Sequence, residues 1–270
     1  MQIDVRGIPI HYEDHGDGRP LLAIHGVTTD RRHLVAELEP ILAPRDGWRR
    51  LYPDLPGRGE TPRADWISSQ DDMLEVALGF LDAVAPGRRF AVIGSSWGAY
   101  MAMGVIHRRA AEVDGAAFIV GSPLRSGRTV PEHRVIVPAS DEVLASLGYD
   151  EREWLEWSVV QTAEELEIER HLIAPAVAAA DMAFIERVEE RSEFSFDVRA
   201  LAPFDRPTLI VNGRQDAVAG YVDMLGMLDA FPRATVAILD RAGHGVASEQ
   251  RILYRALVAE WLDRVETEAR

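Results

Sequence analysis

Residues 90–98 read Phe-Ala-Val-Ile-Gly-Ser-Ser-Trp-Gly, and this stretch decides the fold that the rest of the chain is expected to adopt. The first four residues are apolar, as in a short strand that is buried on both faces. The next five match Gly-x-Ser-x-Gly, and a helical pattern follows. A serine on such a sharp turn projects above the sheet at a helix N-terminus, where developing negative charge is stabilised. Ser96 is therefore the candidate nucleophile, and the glycine spacing disfavours its rival, Ser95.

Short apolar strands alternate with amphipathic helices on both sides of this turn. Such alternation predicts the α/β class, with a mostly parallel sheet and helices on both faces. One upstream helix is capped by Ser68 or Ser69 and ended by Pro86-Gly87. The other predicted helices cover residues 33–42, 97–109, 221–230 and the chain from about 246. The predicted strands cover residues 1–5, 10–13, 20–25, 48–52, 90–93, 116–120, 208–211 and 235–239.

Residues 125–200 interrupt this alternation. They are rich in Glu, Ala and Leu and predict several helices, with residues 134–137 as the one convincing strand. Residues 150–170 include eight acidic and two basic side chains. A helical block between two strands predicts a lid over the carboxyl ends of the sheet, where open α/β sheets bind ligands. The expected organisation is therefore a core of residues 1–124 and 201–270 with a helical lid at 125–200.

Two further residues follow predicted strands and can act together with Ser96. Asp216 lies in the loop after strand 208–211, and His244 lies between small residues after strand 235–239. Carboxyl ends of parallel strands meet at one edge of a sheet, so we expect all three side chains to lie close together. In the chain order serine, aspartate, histidine, His244 would be the base and Asp216 would orient its ring.

Backbone N–H donors for the oxygen of a tetrahedral intermediate are also predicted. One donor follows the nucleophile, at Trp97, and the other belongs to the loop after strand 20–25, at Val27. His25 ends that strand and is expected to brace the loops, with contact to the substrate as the alternative. The bulky Trp97 side chain would either narrow the pocket or belong to the core.

Composition excludes several kinds of chemistry. The 270 residues include no cysteine and no lysine, which excludes disulfides, thiolate nucleophiles, Cys-ligated zinc, Schiff bases and Ser–Lys dyads. No metal-ligand spacing is present, and no metal or other cofactor is expected. The net charge of −15 disfavours nucleic acid and anionic membrane surfaces, so a neutral or cationic small molecule is the easier ligand. Without a transmembrane or signal-peptide pattern, a cytoplasmic protein that does not bind membranes is expected.

These motifs make the chain resemble the α/β-hydrolase superfamily, in the branch of lidded esterases, lactonases, C–C hydrolases and cofactor-free haloperoxidase-like enzymes. The resemblance implies an α/β-hydrolase fold with an inserted helical lid. A serine nucleophile disfavours haloalkane dehalogenases and epoxide hydrolases, which use aspartate. The matching stretches are His25-Gly26, residues 54–59 (Asp-Leu-Pro-Gly-Arg-Gly), the Ser96 turn, residues 213–216 (Gly-Arg-Gln-Asp) and residues 242–244 (Ala-Gly-His).

The resemblance and the candidate residues together imply acyl transfer through an acyl-enzyme on Ser96. The expected substrate is an ester or lactone of a small, largely hydrophobic molecule. Within the lid, Trp154 and Trp157 are candidates for apolar surface that contacts this substrate, although helical spacing also suits packing against the core.

Two alternatives remain at this point. The first is a C–C hydrolase that acts on a β-diketone-like substrate with the same three residues. Arg125, Arg128 and Arg134 would then be candidates to bind a substrate carboxylate, although surface placement is the commoner meaning of such arginines. The second is a ligand receptor or signalling partner that keeps an intact triad without turnover.

Overall fold

The computed structural model describes residues 1–268 and is built around an eight-stranded sheet. The strands are β1 (Gln2–Val5), β2 (Ile8–His15), β3 (Arg19–Ile24), β4 (Trp48–Pro53), β5 (Phe90–Ser95), β6 (Val113–Ile119), β7 (Thr208–Gly213) and β8 (Ala234–Leu239). Their order across the sheet is β1-β2-β4-β3-β5-β6-β7-β8. Strand β2 runs antiparallel to both of its neighbours, and all other pairs are parallel. The predicted mostly parallel sheet is therefore confirmed.

Helices cover both faces of this sheet, as predicted. Successive residues of β3 show why: Leu21 packs in one apolar cluster with the helix residue Leu34, and Leu22 packs in the other with the helix residue Met73. Side chains alternate between the two faces of a strand, so a strand buried on both faces must be apolar throughout. The helices are α1 (Arg31–Leu42), α2 (Gln70–Val84), α3 (Trp97–Arg109), α4 (Asp141–Ser146), α5 (Trp154–Trp157), α6 (Ala163–Ile168), α7 (Ala174–Ala179), α8 (Met182–Glu189), α9 (Val222–Leu225), α10 (Val246–Glu249) and α11 (Arg251–Glu268).

The chain between β6 and β7 carries the short helices α4 to α8, and we call residues 125–200 the cap segment. A π-helical turn at Glu169–Ile173 joins α6 to α7. Val143, Trp154 and Leu166 form an apolar cluster of their own within it. The cap segment thus has a small core that is separate from the two cores of the sheet.

The prediction of a strand at residues 134–137 is wrong. It is reduced to a single parallel bridge between Val137 and Val160, because the facing stretch between α5 and α6 is too short for a ladder. The bridge is supported by Gln161 N–H, which donates to the Val137 carbonyl at 2.8 Å. It ties the start of the cap segment to the chain before α6.

Two helix predictions also need correction. The helix predicted at 221–230 is only the single turn α9, because Gly226 follows it and the chain continues in turns. The helix predicted from about 246 is broken at Gln250, whose backbone is not helical, so α10 and α11 are separate. Among the helices of residues 1–268, none has the length and apolarity to cross a bilayer.

Candidate active site

Ser96 occupies a strained turn between β5 and α3. Its φ of 56° lies in the left-handed region that non-glycine residues seldom adopt. Close backbone packing holds the turn, because a Cβ added to Gly98 would lie 2.0 Å from the Ile24 carbonyl oxygen. A Cβ on Gly94 would lie 2.0 Å from the Gly98 carbonyl oxygen, and the Ser96 N–H donates to the Ile119 carbonyl at 2.8 Å. The glycines of the motif are therefore required by packing on both sides of the serine.

Ser96, His244 and Asp216 form one continuous hydrogen-bonded series. His244 Nε2 lies 2.9 Å from Ser96 Oγ, and His244 Nδ1 lies 2.9 Å from Asp216 Oδ2. The second oxygen of Asp216 accepts the backbone N–H groups of Val218 and Ala219, both at 2.9 Å. Burial raises the pKa of the Asp216 carboxyl, but the His244 ring and these donors outweigh it, and the net pKa is lowered. Asp216 is thus an ionised, fixed acceptor for the histidine ring.

The loops that carry Asp216 and His244 pack directly on each other. A Cβ added to Gly213, at the end of β7, would lie 2.1 Å from the Gly243 carbonyl oxygen. The Gly243 N–H donates to Glu249 Oε2 at 2.6 Å, while the other oxygen of Glu249 accepts the Val160 N–H at 3.2 Å. Glu249 therefore connects the loop of His244 to the cap segment.

The two predicted N–H donors lie beside the nucleophile. Trp97 is the first residue of α3, so its N–H belongs to the first turn and has no partner inside the helix. The Val27 N–H has no protein acceptor within residues 1–268. The loop that carries it passes over the serine turn, since a Cβ on Gly26 would lie 3.7 Å from Ser96 Cβ. Both N–H groups thus lack an acceptor among the described residues, as the predicted role requires.

His25 braces this loop, and the alternative that it contacts the substrate is wrong. The side chain is fully buried, Nε2 accepts the Leu55 N–H at 3.0 Å, and Nδ1 lies 2.8 Å from the Gly26 carbonyl oxygen. Burial lowers the pKa of His25 to about 4, so the ring is neutral and donates from Nδ1. The Gly26 carbonyl and the Val27 N–H belong to the same peptide group. His25 therefore fixes the direction of the Val27 donor.

A buried arginine that the sequence did not single out supports the same loop from the other side. Arg58 Nε donates to the Val27 carbonyl at 2.9 Å, and its guanidinium lies 4.6 Å from the centre of the Trp97 ring. Burial lowers the pKa of Arg58 to about 9. Trp97 Nε1 donates to Gln70 Oε1 at 2.7 Å, and its ring is fully buried. The Trp97 side chain thus belongs to the core rather than to the pocket.

This buried network reaches the cap segment through Glu189. The carboxylate of Glu189 accepts from Gln70 Nε2 at 3.0 Å and from Arg125 Nη2 at 2.6 Å. Arg128 donates to backbone carbonyls, and Arg134 is exposed. None of the three arginines considered for a substrate carboxylate is among the described residues that line the cavity at Ser96.

A cavity of about 280 Å³ opens at Ser96 and His244, beneath the cap segment. Both tryptophans that were predicted to contact substrate line it: Trp154 is buried, whereas Trp157 is 40% exposed. The sheet side of the wall consists of Gly26, Val27, Thr28, Thr29, His33, Ser95, Ser96, Val218, His244, Gly245, Ser248 and Glu249. The cap side consists of Trp154, Trp157, Ser158, Glu165, Ile168, Glu169 and Ile173.

Three glutamates of this wall have raised pKa values. Burial raises the pKa of Glu165 to about 7, with a contribution from the nearby Glu249. Burial also raises the pKa values of Glu169 and Glu249. Within residues 1–268, no group of three or more His, Asp or Glu side chains is arranged to hold a metal ion.

Comparison with known proteins agrees with this fold. A hydrolase of 2-hydroxy-6-oxo-6-(2'-aminophenyl)hexa-2,4-dienoic acid from Metapseudomonas resinovorans is 24% identical over 256 residues, which cover 90% of this chain and 83% of the relative. The crystal structure of an alpha/beta superfamily hydrolase from Oenococcus oeni PSU-1 superposes with a TM-score of 0.88 at 23% identity, covering 98% and 99% of the two chains. A thermophilic esterase from Thermogutta terrifontis gives a TM-score of 0.71 at 23% identity, over 98% and 99% of the chains.

A model of the alpha/beta hydrolase family matches residues 21–256, which include Ser96, Asp216 and His244. The match covers most of the sheet and the whole cap segment. The mostly parallel sheet with helices on both faces and the serine turn after β5 agree with the α/β-hydrolase fold that the sequence motifs predicted. The chain therefore belongs to the alpha/beta hydrolase family and is an enzyme of the hydrolase class.

Proposed function

We propose that this hydrolase cleaves ester or lactone bonds of small, largely hydrophobic molecules through an acyl-enzyme on Ser96. The observation that carries the proposal is the series of two 2.9 Å contacts from Ser96 through His244 to Asp216. A serine hydroxyl is a weak nucleophile until an adjacent base removes its proton, and an oriented histidine supplies that base.

The reaction proceeds in two halves. Ser96 Oγ attacks the carbonyl carbon while its proton moves to His244 Nε2, and the oxyanion accepts hydrogen bonds from the N–H groups of Val27 and Trp97. His244 then gives that proton to the leaving alcohol as the C–O bond breaks. Water next attacks the acyl-enzyme, with His244 again as base, and releases the acid. Asp216 stays ionised throughout and stabilises the imidazolium.

C–C bond hydrolysis with the same residues is the second candidate, because the dienoic acid hydrolase of Metapseudomonas resinovorans aligns over 90% of this chain. Its substrate is named as an acid. No arginine or lysine is among the described residues that line the cavity at Ser96, so a substrate carboxylate would have no guanidinium or ammonium partner there. His33 also lines the cavity, and its pKa is raised because the effect of burial is outweighed by Glu37, but a single imidazole is a weaker partner than a bidentate arginine. This feature favours ester cleavage over C–C cleavage.

The experiment compares Ser96→Ala with the wild type on 4-nitrophenyl butyrate. We expect a loss of about 10³-fold or more in kcat with an unchanged melting temperature, and Ser95→Ala to retain activity within about tenfold. Wild-type-like turnover by Ser96→Ala would refute the role of Ser96. A 2-hydroxy-6-oxo-dienoate assayed in parallel decides between bond types: faster Ser96-dependent cleavage of this compound than of any ester would favour the C–C hydrolase.

A further inference from the structure

The acidic stretch at residues 150–170 forms part of the wall of the cavity at Ser96. A neighbouring cavity is lined by Asp150, Glu151 and Glu153 and shares four residues with the cavity at Ser96. The shared residues are Trp154, Trp157, Glu169 and Ile173. The two cavities are therefore adjacent, and carboxylates and indole rings lie between them.

Glu169 stands at the junction of the two cavities, and one of its oxygens lacks a partner. Its Oε2 atom is buried and has no hydrogen-bond donor among the described residues. The other wall glutamates are engaged: Glu165 accepts from Ser248 Oγ at 2.6 Å, and Glu249 accepts two backbone N–H groups. A buried carboxylate oxygen without a donor is costly, and a bound cation would remove that cost.

Trp154 and Trp157 line the same part of the wall as Glu169. Indole faces attract ammonium groups through the ring quadrupole, more strongly where the site is partly desolvated. Arg170, which lines the neighbouring cavity, is already paired with Glu151 and Glu167, at 2.6 Å and 3.1 Å. Glu169 Oε2 is thus a carboxylate oxygen without a donor beside aromatic surface.

We propose that the preferred substrates are esters that carry a protonated amine or quaternary ammonium group, bound by Glu169 and the indole rings of Trp154 and Trp157 while Ser96 attacks the carbonyl. The proposal rests on the ester hydrolysis proposed above and adds a substrate class to it. Esters that carry a carboxylate at the same position are disfavoured by repulsion from Glu169. Burial, Glu151 and Glu153 raise the pKa of Glu169, which a bound cation would reverse.

Three butyrate esters of matched size test this preference. They are the ester of 2-(trimethylammonio)ethanol, its uncharged carbon isostere 3,3-dimethylbutyl butyrate, and the anionic 4-(butyryloxy)butanoate. We expect kcat/KM for the cationic ester to exceed that of the isostere by about tenfold or more, and the anionic ester to be slower by a similar factor. Equal rates for the cationic ester and its isostere would overturn the proposal.

Glu169→Gln keeps the shape of the side chain and removes its charge. We expect it to reduce the ratio of kcat/KM between the cationic ester and its isostere by about tenfold. Glu156→Gln is the matched control, because Glu156 lies in the cap segment, is exposed and lines neither cavity. A ratio that falls equally in both variants would show that only the overall charge matters, and would contradict a site at Glu169.

Failure of this proposal and failure of ester hydrolysis give different results. Ser96-dependent hydrolysis of all three esters without preference leaves the ester hydrolase intact and removes the cation site. If no ester is hydrolysed, calorimetric titration of the wild type with tetramethylammonium chloride, against sodium chloride at equal ionic strength, still tests the site. Binding that Glu169→Gln weakens supports the site, and no binding overturns it.

Discussion

The two sides of the cavity at Ser96 are built in different ways. On the sheet side, His244 uses both ring nitrogens and Asp216 uses both oxygens, and Gly98 and Gly213 bring backbone against backbone. On the cap side, Glu169 has an oxygen without a donor and Trp157 is 40% exposed. The reacting groups on the sheet side are thus each held by several short contacts, whereas Glu169 and Trp157 on the cap side are less constrained.

The two sides of the cavity are therefore suited to different roles: the sheet side to the reaction, and the cap side to the choice of substrate. Proton transfer needs atoms about 3 Å apart in fixed directions, and backbone packing provides such precision. The cap helices α4 to α8 have four to eight residues each, too few to be stable alone. They depend on side-chain contacts such as the Arg170–Glu151 pair and the cluster around Trp154. Substitutions in the cap segment should therefore alter which substrate binds, and substitutions at the sheet edge should alter whether it reacts.

Asp216→Asn should have the largest effect on activity. The amide keeps the shape and can still accept the N–H groups of Val218 and Ala219, but it no longer fixes the tautomer of His244. We expect kcat to fall on the order of 10³- to 10⁴-fold in a steady-state ester assay, with near-native circular dichroism. A loss below tenfold would mean that this aspartate does not orient the base.

Gly98→Ala should be the most damaging small substitution at the sheet edge. Its Cβ would lie 2.0 Å from the backbone oxygen of Ile24, so the serine turn must shift. We expect a loss of roughly 3 to 5 kcal/mol in the free energy of unfolding by chemical denaturation, together with most of the activity. Gly245→Ala is the control, since its Cβ would meet nothing closer than 3.5 Å. Similar losses in both variants would argue against backbone packing as the cause.

Arg58→Met should lower turnover more than binding. It removes the donor to the Val27 carbonyl and the positive charge beneath the loop that offers the Val27 N–H to the oxyanion. We expect kcat to fall by about 10- to 100-fold with a smaller change in KM, and Arg58→Lys to lie between this variant and the wild type. A raised KM with unchanged kcat would show that Arg58 has only a structural role at the pocket.

Glu165→Gln should have the smallest effect, and it concerns the cap side. Because burial raises the pKa of Glu165 to about 7, the folded protein binds this proton more tightly than the unfolded chain. The resulting stabilisation is present at pH 4 to 5 and is lost as the pH rises through about 7. We expect the free energy of unfolding of the wild type to fall, relative to Glu165→Gln, by on the order of 2 kcal/mol between pH 5 and pH 8. If the free energy of unfolding of the wild type, relative to Glu165→Gln, stayed constant or grew between pH 5 and pH 8, the raised pKa of Glu165 would be contradicted.

The sheet side could be predicted from the sequence far better than the cap side. Ser96, Asp216 and His244 each follow a strand of the parallel part of the sheet, and a parallel sheet necessarily carries such residues to one edge. Glu169 could not be assigned to the cavity, because it begins a π-helical turn, where the usual 3.6-residue spacing no longer indicates the face of a side chain. Arg58 lies in a stretch that matches the family, but its role could not be predicted, because its contact with Trp97 joins a loop to a helix 39 residues away.

The most direct measurement of the central claim is covalent labelling of the nucleophile. The wild type is incubated with a fluorophosphonate, and the modified protein is analysed by intact-mass and peptide-level mass spectrometry. If the hydrogen-bonded series from Ser96 to Asp216 activates the serine, a single phosphonyl group forms on Ser96, and Ser96→Ala and His244→Gln remain unlabelled on the same timescale. An adduct on Ser95 or elsewhere, or undiminished labelling of Ser96→Ala, would contradict the assignment of Ser96 as the nucleophile.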